Sequence, residues 1–448
     1  MTTFRARVYA QEYLAAGATE VHALVAILAE GGGPGAGDGP APSAGEVIIV
    51  DCSGSMGIPL RKIEAARQAT AAAIERLRDG TRFAVVAGSE TARLVYPDSS
   101  IGMAVAAEGS RAEARERVSD LRAEGGTAIS TWLALARRML GEQDVAIRHA
   151  ILLTDGKNES EPAELLQAEL ERCRGAFICD CRGVGVSWNR AEVEGIAHAL
   201  LGDADIVPRP SDMPAAFEQI IERVMGRRVE SVEVVVQTPG TASVLVFAQC
   251  FPQIEDLTDR VAWRRLGKDG DWLPAEGDDP EEPMESVYPT GAWSGDEQRE
   301  YHLCVRVVPQ EPEDPYGLRA AVLRLVVDGE PAAELPIVTR WTHDARLATR
   351  MDPRLTGYLK VTDMVQDVDE AFRAMGAGDR ERATRLLLHA HEVALQTGNP
   401  KTAELLDRLV DVRTRSLRRF TELDQRTTEM RSRRTAIQPA PADQEDRE

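Results

Sequence analysis

The order of hydrophobic and polar positions changes its period along this chain. From Glu46 to Gly226, apolar runs of strand length alternate with segments whose apolar residues recur at helical spacing. Leu60, Ile63 and Ala66 begin such a stripe in the first of these segments. Strands that alternate with helices are typical of a largely parallel sheet covered by helices on both faces. The pattern therefore predicts a doubly wound, Rossmann-like α/β domain over 46–226.

Within this domain, apolar runs predict the strands and amphipathic segments predict the helices. Strands are expected at 46–50, 82–88, 92–96, 147–153, 177–186 and 204–207. Helices are expected at 58–78, 111–123, 129–140, 162–173, 190–200 and 213–225. The closely spaced strands 82–88 and 92–96 predict a hairpin that adds an antiparallel edge strand. The remaining strands are expected to run parallel.

The regions on both sides of this domain have different periods. From Val229 the apolar positions alternate, and turns containing Pro and Gly separate the runs, so 227–345 is predicted to be an antiparallel β-sandwich. Residues 1–30 also alternate, around a turn at Gly17. No other sheet is available to them, so we expect them to complete the sandwich, with the α/β domain inserted into it. From Ala345 the spacing is helical and predicts a small C-terminal helical domain over 346–432.

This helical domain is expected to be an antiparallel bundle with turns at 376–379 and 397–400. Its helices are predicted at 358–375, 380–396 and 400–430. Residues 433–448 are predicted to be a disordered tail.

Two segments rich in special residues have ordinary interpretations. Residues 31–45 are rich in Gly and Pro, but they carry no Lys-Ser/Thr pair and open no helix, which favours a linker over a phosphate-binding loop. The acidic stretch from Lys268 to Glu285 lacks the Gly and terminal Glu positions of a calcium-binding helix-loop-helix motif. It is predicted to be a solvated loop.

Composition narrows the class of protein. The net charge of −20 argues against binding to nucleic acid or to an anionic membrane as a main role. No apolar run reaches membrane-spanning length, and the first residues lack the apolar core of a signal peptide. The six cysteines have no framework spacing, which favours a reducing compartment. We therefore expect a cytoplasmic protein, and the abundance of Ala, Arg and Gly favours a bacterial source of high GC content.

Arginines cluster near the C-terminus. They are Arg413, Arg415, Arg418, Arg419, Arg426, Arg431, Arg433 and Arg434. A solvated helix face that balances nearby carboxylates is the first interpretation, and a docking segment for an acidic partner is the alternative.

Oxygen donors follow two of the predicted buried strands. The run Val47–Val50 ends in Asp51-x-Ser53-x-Ser55, Thr127 precedes a helix, and Asp155 follows the strand at 147–153. Open α/β sheets bind ligands at the carboxyl ends of their strands. Small hard divalent cations prefer ligand sets made only of oxygen. These side chains therefore predict a metal site.

In these residues the chain resembles the von Willebrand factor A (VWA) family. Asp51, Ser53, Ser55, Thr127 and Asp155 match, in order, the metal-ion-dependent adhesion site of that family. The resemblance implies a bound Mg²⁺, or Mn²⁺ or Ca²⁺, that captures an Asp or Glu side chain of a partner protein. It also implies that the last helix of the domain, which ends near Arg223–Gly226, moves when the coordination of the metal changes.

The leading hypothesis is an intracellular, metal-dependent protein-binding scaffold or adaptor without enzymatic activity. One alternative is an accessory subunit of an AAA+ ATPase that remodels or metallates a client. A metal-dependent hydrolase is a further alternative. Against it, aspartyl-phosphate phosphatases need a second Asp where Ser53 stands, and His149 and His198 are expected to be ordinary core or surface residues. The oligomeric state is left open.

The cysteines do not change this interpretation. Cys179 and Cys181 share one face of a predicted strand, with Cys173 on the preceding helix. No fourth ligand has a recognisable spacing, so buried packing is favoured over a metal or redox site. Cys52 is expected to point into the core.

Overall fold

A computed structural model of the chain describes residues 2–31, 41–58, 60–98, 102–266, 272–274, 284–312, 314 and 316–434. Side chains are not described at 263–266, 272–274 and 284. Most of the predicted linker at 31–45 and most of the predicted acidic loop lie outside the described residues.

The chain begins with strands that belong to two different sheets. The strands are β1 Thr3–Ala10, β2 Tyr13–Ala15 and β3 Glu20–Glu30. β1 and β3 pair antiparallel, while the short β2 pairs parallel with a strand near residue 340. The sequence predicted two strands here, because three residues are too few to show an alternating pattern.

The next region, residues 44–226, is called the α/β domain. Its strands are β4 Ala44–Asp51, β5 Arg82–Gly88, β6 Ala92–Tyr96, β7 Ala104–Val105, β8 Ile147–Thr154, β9 Ile178–Val184 and β10 Ala204–Val207. Its helices are α1 Arg61–Arg76, α2 Glu108–Ser119, α3 Ile129–Gly141, α4 Ala163–Cys173, α5 Arg190–Ala199 and α6 Met213–Met225. These elements form a doubly wound α/β fold.

The sheet of this domain has the strand order β10-β9-β8-β4-β5-β6, and β7 also pairs with β5. β10, β9, β8, β4 and β5 run parallel, and β6 and β7 run antiparallel at the edge. The central strand β4 is buried along its whole length. This burial explains its continuous apolar sequence, since helices cover both faces of the sheet.

Each face of the sheet has its own core. Residues of α1, α2 and α6 pack with Ile48 and Val50 on one face, and residues of α3, α4 and α5 pack with Val47 and Ile49 on the other. Alternate residues of β4 therefore enter opposite cores, as the period of a strand requires. The first core connects the metal-site edge of β4 to α6.

The second region is a pair of sheets, called the sheet pair, formed by residues 3–30 and 227–342; the pairing is antiparallel except at the short edge strand β2. Its later strands are β11 Arg227–Val229, β12 Val232–Thr238, β13 Ser243–Phe251, β14 Glu255–Asp256, β15 Ala262–Leu266, β16 Trp272–Pro274, β17 Met284–Pro289, β18 Trp293–Ser294, β19 Gln298–Arg306, β20 Leu318–Val327 and β21 Glu330–Thr342. One sheet has the order β1-β3-β19-β13-β14 and the other has the order β16-β15-β17-β12-β20-β21-β2.

The sheet pair uses chain segments from both sides of the α/β domain. β3 pairs with β19 from Glu20 opposite Arg306 to Leu28 opposite Gln298. Val25 of β3 and Val234 of β12 are fully buried in a core that the two sheets share. The α/β domain is therefore inserted into the sheet pair, between β3 of one sheet and β12 of the other.

The C-terminal region, residues 345–434, is mostly helical. Its elements are α7 Ala345–Ala348, α8 Pro353–Gly376, α9 Arg380–Gln396, α10 Pro400–Asp407, β22 Val410–Asp411, β23 Ser416–Leu417 and α11 Glu422–Arg431. α8, α9 and α10 share one hydrophobic core.

The continuous helix predicted at 400–430 is wrong. It is two short helices separated by a small hairpin, β22–β23. Asp411 Oδ1 accepts hydrogen bonds from the backbone N–H groups of Arg413 and Thr414, at 3.0 and 3.1 Å, which offers the backbone an alternative to the helix. Thr421 then caps the next helix with Asp424 in a capping box.

The arginines at the end of this region were also predicted incorrectly. Arg431 and Arg434 form ion pairs with Asp205 of the α/β domain, at 3.4 and 2.9 Å, and Arg433 pairs with Asp369 of α8 at 2.8 Å. Arg431 and Arg434 therefore tie the C-terminal region to the α/β domain, and Arg433 ties its last turn to α8. Residues 433 and 434 are ordered parts of these contacts, so the predicted tail at 433–448 begins too early, and its remainder lies outside the described residues. The prediction of a solvated face holds for the exposed residues Arg413, Arg415, Arg418 and Arg419. Arg426 pairs with Glu429 at 3.5 Å, as expected.

Over the described part of the chain, no helix combines the length and the apolar character needed to cross a membrane.

Candidate metal site

Three loops meet at the carboxyl edge of the central sheet. Asp51 ends β4, and a 3-10 turn at Gly54–Gly57 follows it. The backbone N–H of Gly54 donates to the carbonyl of Gly125 at 2.9 Å, which joins this loop to the one that carries Thr127. The N–H of Ser160 donates to the carbonyl of Thr127 at 3.0 Å, which joins the second loop to the third. Backbone hydrogen bonds therefore hold the three loops in fixed relation.

The predicted oxygen donors are linked by direct contacts. Ser53 Oγ and Ser55 Oγ lie 2.9 Å apart, and Ser55 Oγ donates to Asp155 Oδ1 at 2.6 Å. The backbone N–H of Ser53 donates to Asp51 Oδ1 at 2.7 Å, which orients that carboxylate. Asp51 and Asp155 are fully buried, while Ser55 is exposed at the rim.

Gly156 shows where these donors converge. A Cβ atom built on Gly156 would lie 3.2 Å from Thr127 Oγ1, 3.4 Å from Ser55 Oγ and 3.7 Å from Asp51 Oδ2. Oxygens from two loops thus surround one small space beside the third loop, and a methyl group on Gly156 would enter it. The structure brings all five predicted side chains together, and their chemistry and arrangement fit a hard divalent cation.

Two buried carboxylates make this space electronegative. Burial raises the pKa of Asp51, and the nearby charge of Asp155 acts in the same direction, while hydrogen bonds from Ser53 and Thr154 oppose them. A carboxylate that is costly to keep ionised is stabilised by a cation beside it.

The chain itself supplies one cation at this place. Lys62, in the first turn of α1, forms an ion pair with Asp155 Oδ2, and its Nζ lies 3.5 Å from the carbonyl oxygen of Ser55. Its side chain is 16% exposed. The negative charge of Asp155 is therefore shared with an ammonium group that remains accessible from solvent.

The surroundings of the five donors form an open recess with an apolar rim. The recess has a volume of about 370 Å³ and is lined mainly by the three loops. Ile58 and Leu60, just after the serines, are 79% and 69% exposed. Large aliphatic side chains exposed together at the edge of a polar recess are typical of protein-binding surfaces.

Comparison with known proteins agrees with this architecture. A model of the von Willebrand factor type A domain matches residues 46–206. A solved structure described as von Willebrand factor type A from Catenulispora acidiphila is 36% identical, with a TM-score of 0.85 over 97% of this chain and 97% of that chain. The chain belongs to the von Willebrand factor type A family. The α/β domain is its VWA domain.

A more distant structure has a similar overall fold. The ArnB paralog VWA2 from Sulfolobus acidocaldarius is 14% identical, with a TM-score of 0.53 over 96% of this chain and 98% of that chain. Because the match spans nearly the whole of both chains, the likeness extends beyond the VWA domain to its flanking regions. Among curated proteins, no sequence matches this chain.

Sequence reasoning missed three side chains that support the donors of the VWA domain. Thr154 Oγ1 donates to Asp51 Oδ2 at 2.6 Å, and Ser160 Oγ accepts from the backbone N–H of Thr127 at 2.9 Å. Lys62 is the third. Thr154 had a usable signal, since it precedes Asp155 at the end of a buried strand. Lys62 had no such signal, because its contact with Asp155 depends on the tertiary fold.

The cysteines and histidines considered in the sequence analysis are buried or lie at a boundary between regions. Cys179 Sγ and Cys181 Sγ lie 3.9 Å apart, and both residues are fully buried. Burial raises the pKa of Cys52 to about 12, so its thiol is protonated at neutral pH. His149 is fully buried beside Glu46, and His198 contacts Glu255 and Asp259 at the boundary with the sheet pair.

Proposed function

We propose that this protein is a metal-dependent protein-binding adaptor. Asp51, Ser53, Ser55, Thr127 and Asp155 hold a divalent cation, with Mg²⁺ the first candidate and Mn²⁺ or Ca²⁺ the alternatives. An Asp or Glu side chain of a partner protein completes the coordination. The observation that carries this proposal is the convergence of Asp51, Ser55 and Thr127 oxygens beside Gly156, together with the 2.6 Å contact of Ser55 Oγ with Asp155 of the third loop.

The charge of the donor set suits capture of a carboxylate. Asp51 and Asp155 supply two negative charges, and the remaining donors are neutral hydroxyl groups. A divalent cation held in this way keeps a net attraction for one more anionic oxygen ligand. The exposed position of Ser55 and the open recess place that ligand on the solvent side.

Two exposed apolar side chains near the metal-site loops indicate what the partner surface should contain. Ile58 and Leu60 stand beside the recess with most of their surface exposed. A partner that covers them gains about 25 cal/mol for each Å² of apolar surface removed from water. We therefore expect the captured acidic residue to lie next to an apolar side chain of the partner.

The histidines support a non-enzymatic role. His149 is enclosed by Glu46 and Asp180, and His198 by Glu255 and Asp259. Neither contacts Ser53 or Ser55, so they form no arrangement of nucleophile and base with the metal-site serines. Buried thiols at all six cysteines support a reducing compartment such as the cytoplasm.

Ion pairs within the chain weaken the argument for the alternative role as an accessory subunit of an AAA+ ATPase. A free basic surface at the C-terminus, facing the ATPase, would favour that role. Arg431, Arg433 and Arg434 instead pair with carboxylates of the same chain. The adaptor proposal does not need them.

The metal part of the proposal is tested by calorimetry with Mg²⁺ and Mn²⁺. The wild-type protein is expected to bind one ion, and Asp51→Ala is expected to weaken binding by about 100-fold or more, since it removes a charged ligand. Asp144→Ala, which removes an exposed carboxylate elsewhere in the VWA domain, serves as the control. Equal affinity in all three proteins would refute the metal site.

The partner part is tested by affinity capture from the native lysate. Partners are expected with Mg²⁺ and absent with EDTA or with Asp51→Ala. The double variant Ile58→Ser/Leu60→Ser is expected to keep its affinity for the ion and to lose the partners. An unchanged partner list in every arm would move the binding function to the sheet pair or to the C-terminal region.

A further inference from the structure

A second polar cavity lies between the VWA domain and the sheet pair, away from the metal-site loops. Its volume is about 240 Å³. Asp180 of β9 and Arg223 of α6 line it from the VWA domain, and Glu255, Arg260 and Arg299 line it from the sheet pair. The proposed adaptor function uses none of these residues.

Positive charge exceeds negative charge in the lining of this cavity. The lining contains five arginines and four carboxylates: Arg223, Arg227, Arg260, Arg299, Arg434, Asp180, Asp203, Glu255 and Glu297. Guanidinium groups remain charged at any ordinary pH. Two of these groups have partners outside the lining, since Arg434 pairs with Asp205 and Asp203 pairs with Arg182, both at 2.9 Å. Four guanidinium groups and three carboxylates remain, so one positive charge lacks a close counter-ion within the lining.

Most of the arginines have defined partners. Arg223 pairs with Asp180 at 2.8 Å. Arg299 Nε donates to Glu297 at 2.6 Å, and its guanidinium carbon lies 4.4 Å from the ring centre of Trp293. Arg260 pairs with Glu255. Asp180, Glu297 and Glu255 are therefore each engaged by an arginine of the lining.

Arg227 differs from the others. It is only 7% exposed, and its Nη1 is buried without a hydrogen-bond partner in the described structure. Burial lowers the pKa of Arg227, although Asp180 partly opposes this. A buried guanidinium without a close counter-ion costs several kcal/mol. Arg260 adds a second unpartnered donor, since its Nε is buried and lacks an acceptor.

We infer that this cavity binds a small tetrahedral oxyanion of the phosphate type, with Arg227 as its main ligand and Arg260 as a second donor. The oxygens of such an ion accept hydrogen bonds in several directions, which suits guanidinium groups that come from different elements, Arg227 from β11 and Arg260 from a 3-10 turn. The cavity is below the range of about 300–1,000 Å³ that drug-sized ligands occupy, so a small ion fits it better than a large organic molecule.

The bound ion would connect two parts of the fold. Arg227 begins β11, directly after α6 has ended at Met225, and Arg260 belongs to the sheet pair. An oxyanion held by both would join the end of the last helix of the VWA domain to the sheet pair. Its binding is therefore expected to stabilise the protein against unfolding.

The inference is tested with inorganic phosphate and, as a second source of the same geometry, sulfate. EDTA is present so that no anion is held by a metal, and chloride and acetate at equal ionic strength are the comparison salts. Phosphate and sulfate are expected to bind one per chain and to raise the Tm, whereas chloride and acetate are not. Arg227→Met, which keeps much of the side-chain volume, is expected to weaken binding about tenfold or more.

The controls separate binding from folding. Arg209→Met removes an exposed arginine outside the cavity and is expected to leave phosphate binding unchanged. Without phosphate, Arg227→Met is expected to melt no lower than wild type, because it removes an unpaired buried charge. Unchanged phosphate affinity in Arg227→Met, or the absence of any Tm shift in wild type, would overturn the inference. If the variant fails to fold, crystals of wild type grown with sulfate decide, since no sulfate against Arg227 would also overturn it.

Discussion

The two ends of the central sheet hold charged groups in opposite ways. At the carboxyl end, Asp51 and Asp155 face each other across hydroxyl groups in an open recess. Towards the amino end, Glu46, His149 and Asp180 lie side by side on β4, β8 and β9. His149 Nδ1 contacts Glu46 at 2.8 Å, and its Nε2 lies 3.3 Å from Asp180. The first end has excess negative charge beside solvent, and the second pairs its charges inside the protein.

The directions of the pKa shifts reflect this difference. Burial raises the pKa of Asp51. Burial also acts to raise the pKa of Asp180, but Arg223, His149 and Arg182 hold it well below its usual range. A carboxylate with its partners in place contributes to the stability of the fold, whereas one without them is available to a ligand. The comparison predicts that equivalent substitutions at the two ends change different properties.

The largest effect is expected from removing a carboxylate at the paired end. Asp180→Ala leaves Arg223 and His149 without their shared partner, and we expect a loss of about 3–5 kcal/mol in the free energy of unfolding. Asp51→Ala, measured in EDTA, is expected to cost less than about 2 kcal/mol, because the charge that it removes is not compensated by an arginine. Urea unfolding measures both. Equal losses would show that the two ends do not differ in this way.

The next largest effect is expected at the open, carboxyl end of the sheet. Gly156→Ala places a methyl group among the oxygens of Thr127, Ser55 and Asp51, and we expect it to weaken binding of Mn²⁺ by about tenfold or more, since ligand geometry governs affinity. Calorimetry gives the affinity. Gly109→Ala is the matched control, because a Cβ there meets nothing within 4 Å. A Gly156→Ala variant with wild-type affinity would place the ion elsewhere.

A third prediction concerns pH at the paired end. Burial acts to lower the pKa of His149, but the charge of Glu46 and the contact with Asp180 raise it above 6.5. The folded protein therefore keeps this proton at a pH where the unfolded chain has lost it. The resulting stabilisation is fully present below pH 6.5 and disappears as the pH rises through the folded-state pKa.

Urea unfolding at pH 6 and at pH 9 tests the direction of this pH dependence of stability. Wild type is expected to lose stability from this group between the two values, and His149→Gln is expected to lose less. A variant with the same pH dependence as wild type would mean that His149 does not hold the proton.

The smallest effect is expected at Lys62. Lys62→Gln removes a positive charge that competes with a cation for Asp155, so the affinity for Mg²⁺ or Mn²⁺ is expected to rise about threefold. The side chain is partly exposed and screened by solvent, which limits the gain. Lys401→Gln, the same change of charge at an exposed lysine of α10, is the control. Reduced affinity in Lys62→Gln would mean that the lysine helps to hold the site.

Much of the central fold was predictable because burial imposes local periods. The strand β4 is buried on both sides, so it has a continuous apolar run, and its end at Asp51 is visible in the sequence. The helical stripe of α1 was visible for the same reason. Elements of two or three residues, such as β2 and the hairpin β22–β23, are too short to show a period. β2 forms by pairing with the distant strand β21, and β22 and β23 form by pairing with each other across a turn.

Some residues of the candidate site were also predictable from the sequence, and others were not. Asp51, Ser53 and Ser55 are close in sequence, so their spacing alone indicated a shared loop. Thr127 and Asp155 were joined to them by their positions before a helix and after a buried strand, and the resemblance to a known family supported this grouping. The contribution of Lys62, and the need for a glycine at 156, follow only from the positions of three loops in space.

The sequence by itself determined the alternation of strands and helices, the identity of the oxygen donors and their order along the chain. These properties are local, since each depends on the side chains of one segment and on which of its faces is buried. Only the tertiary structure decided which charges are paired. Arg431 meets Asp205 across more than 200 positions of the chain, while Arg227 lies buried without a partner for its Nη1. Such contacts depend on how separate segments pack together, and hydrophobic periodicity carries no information about them.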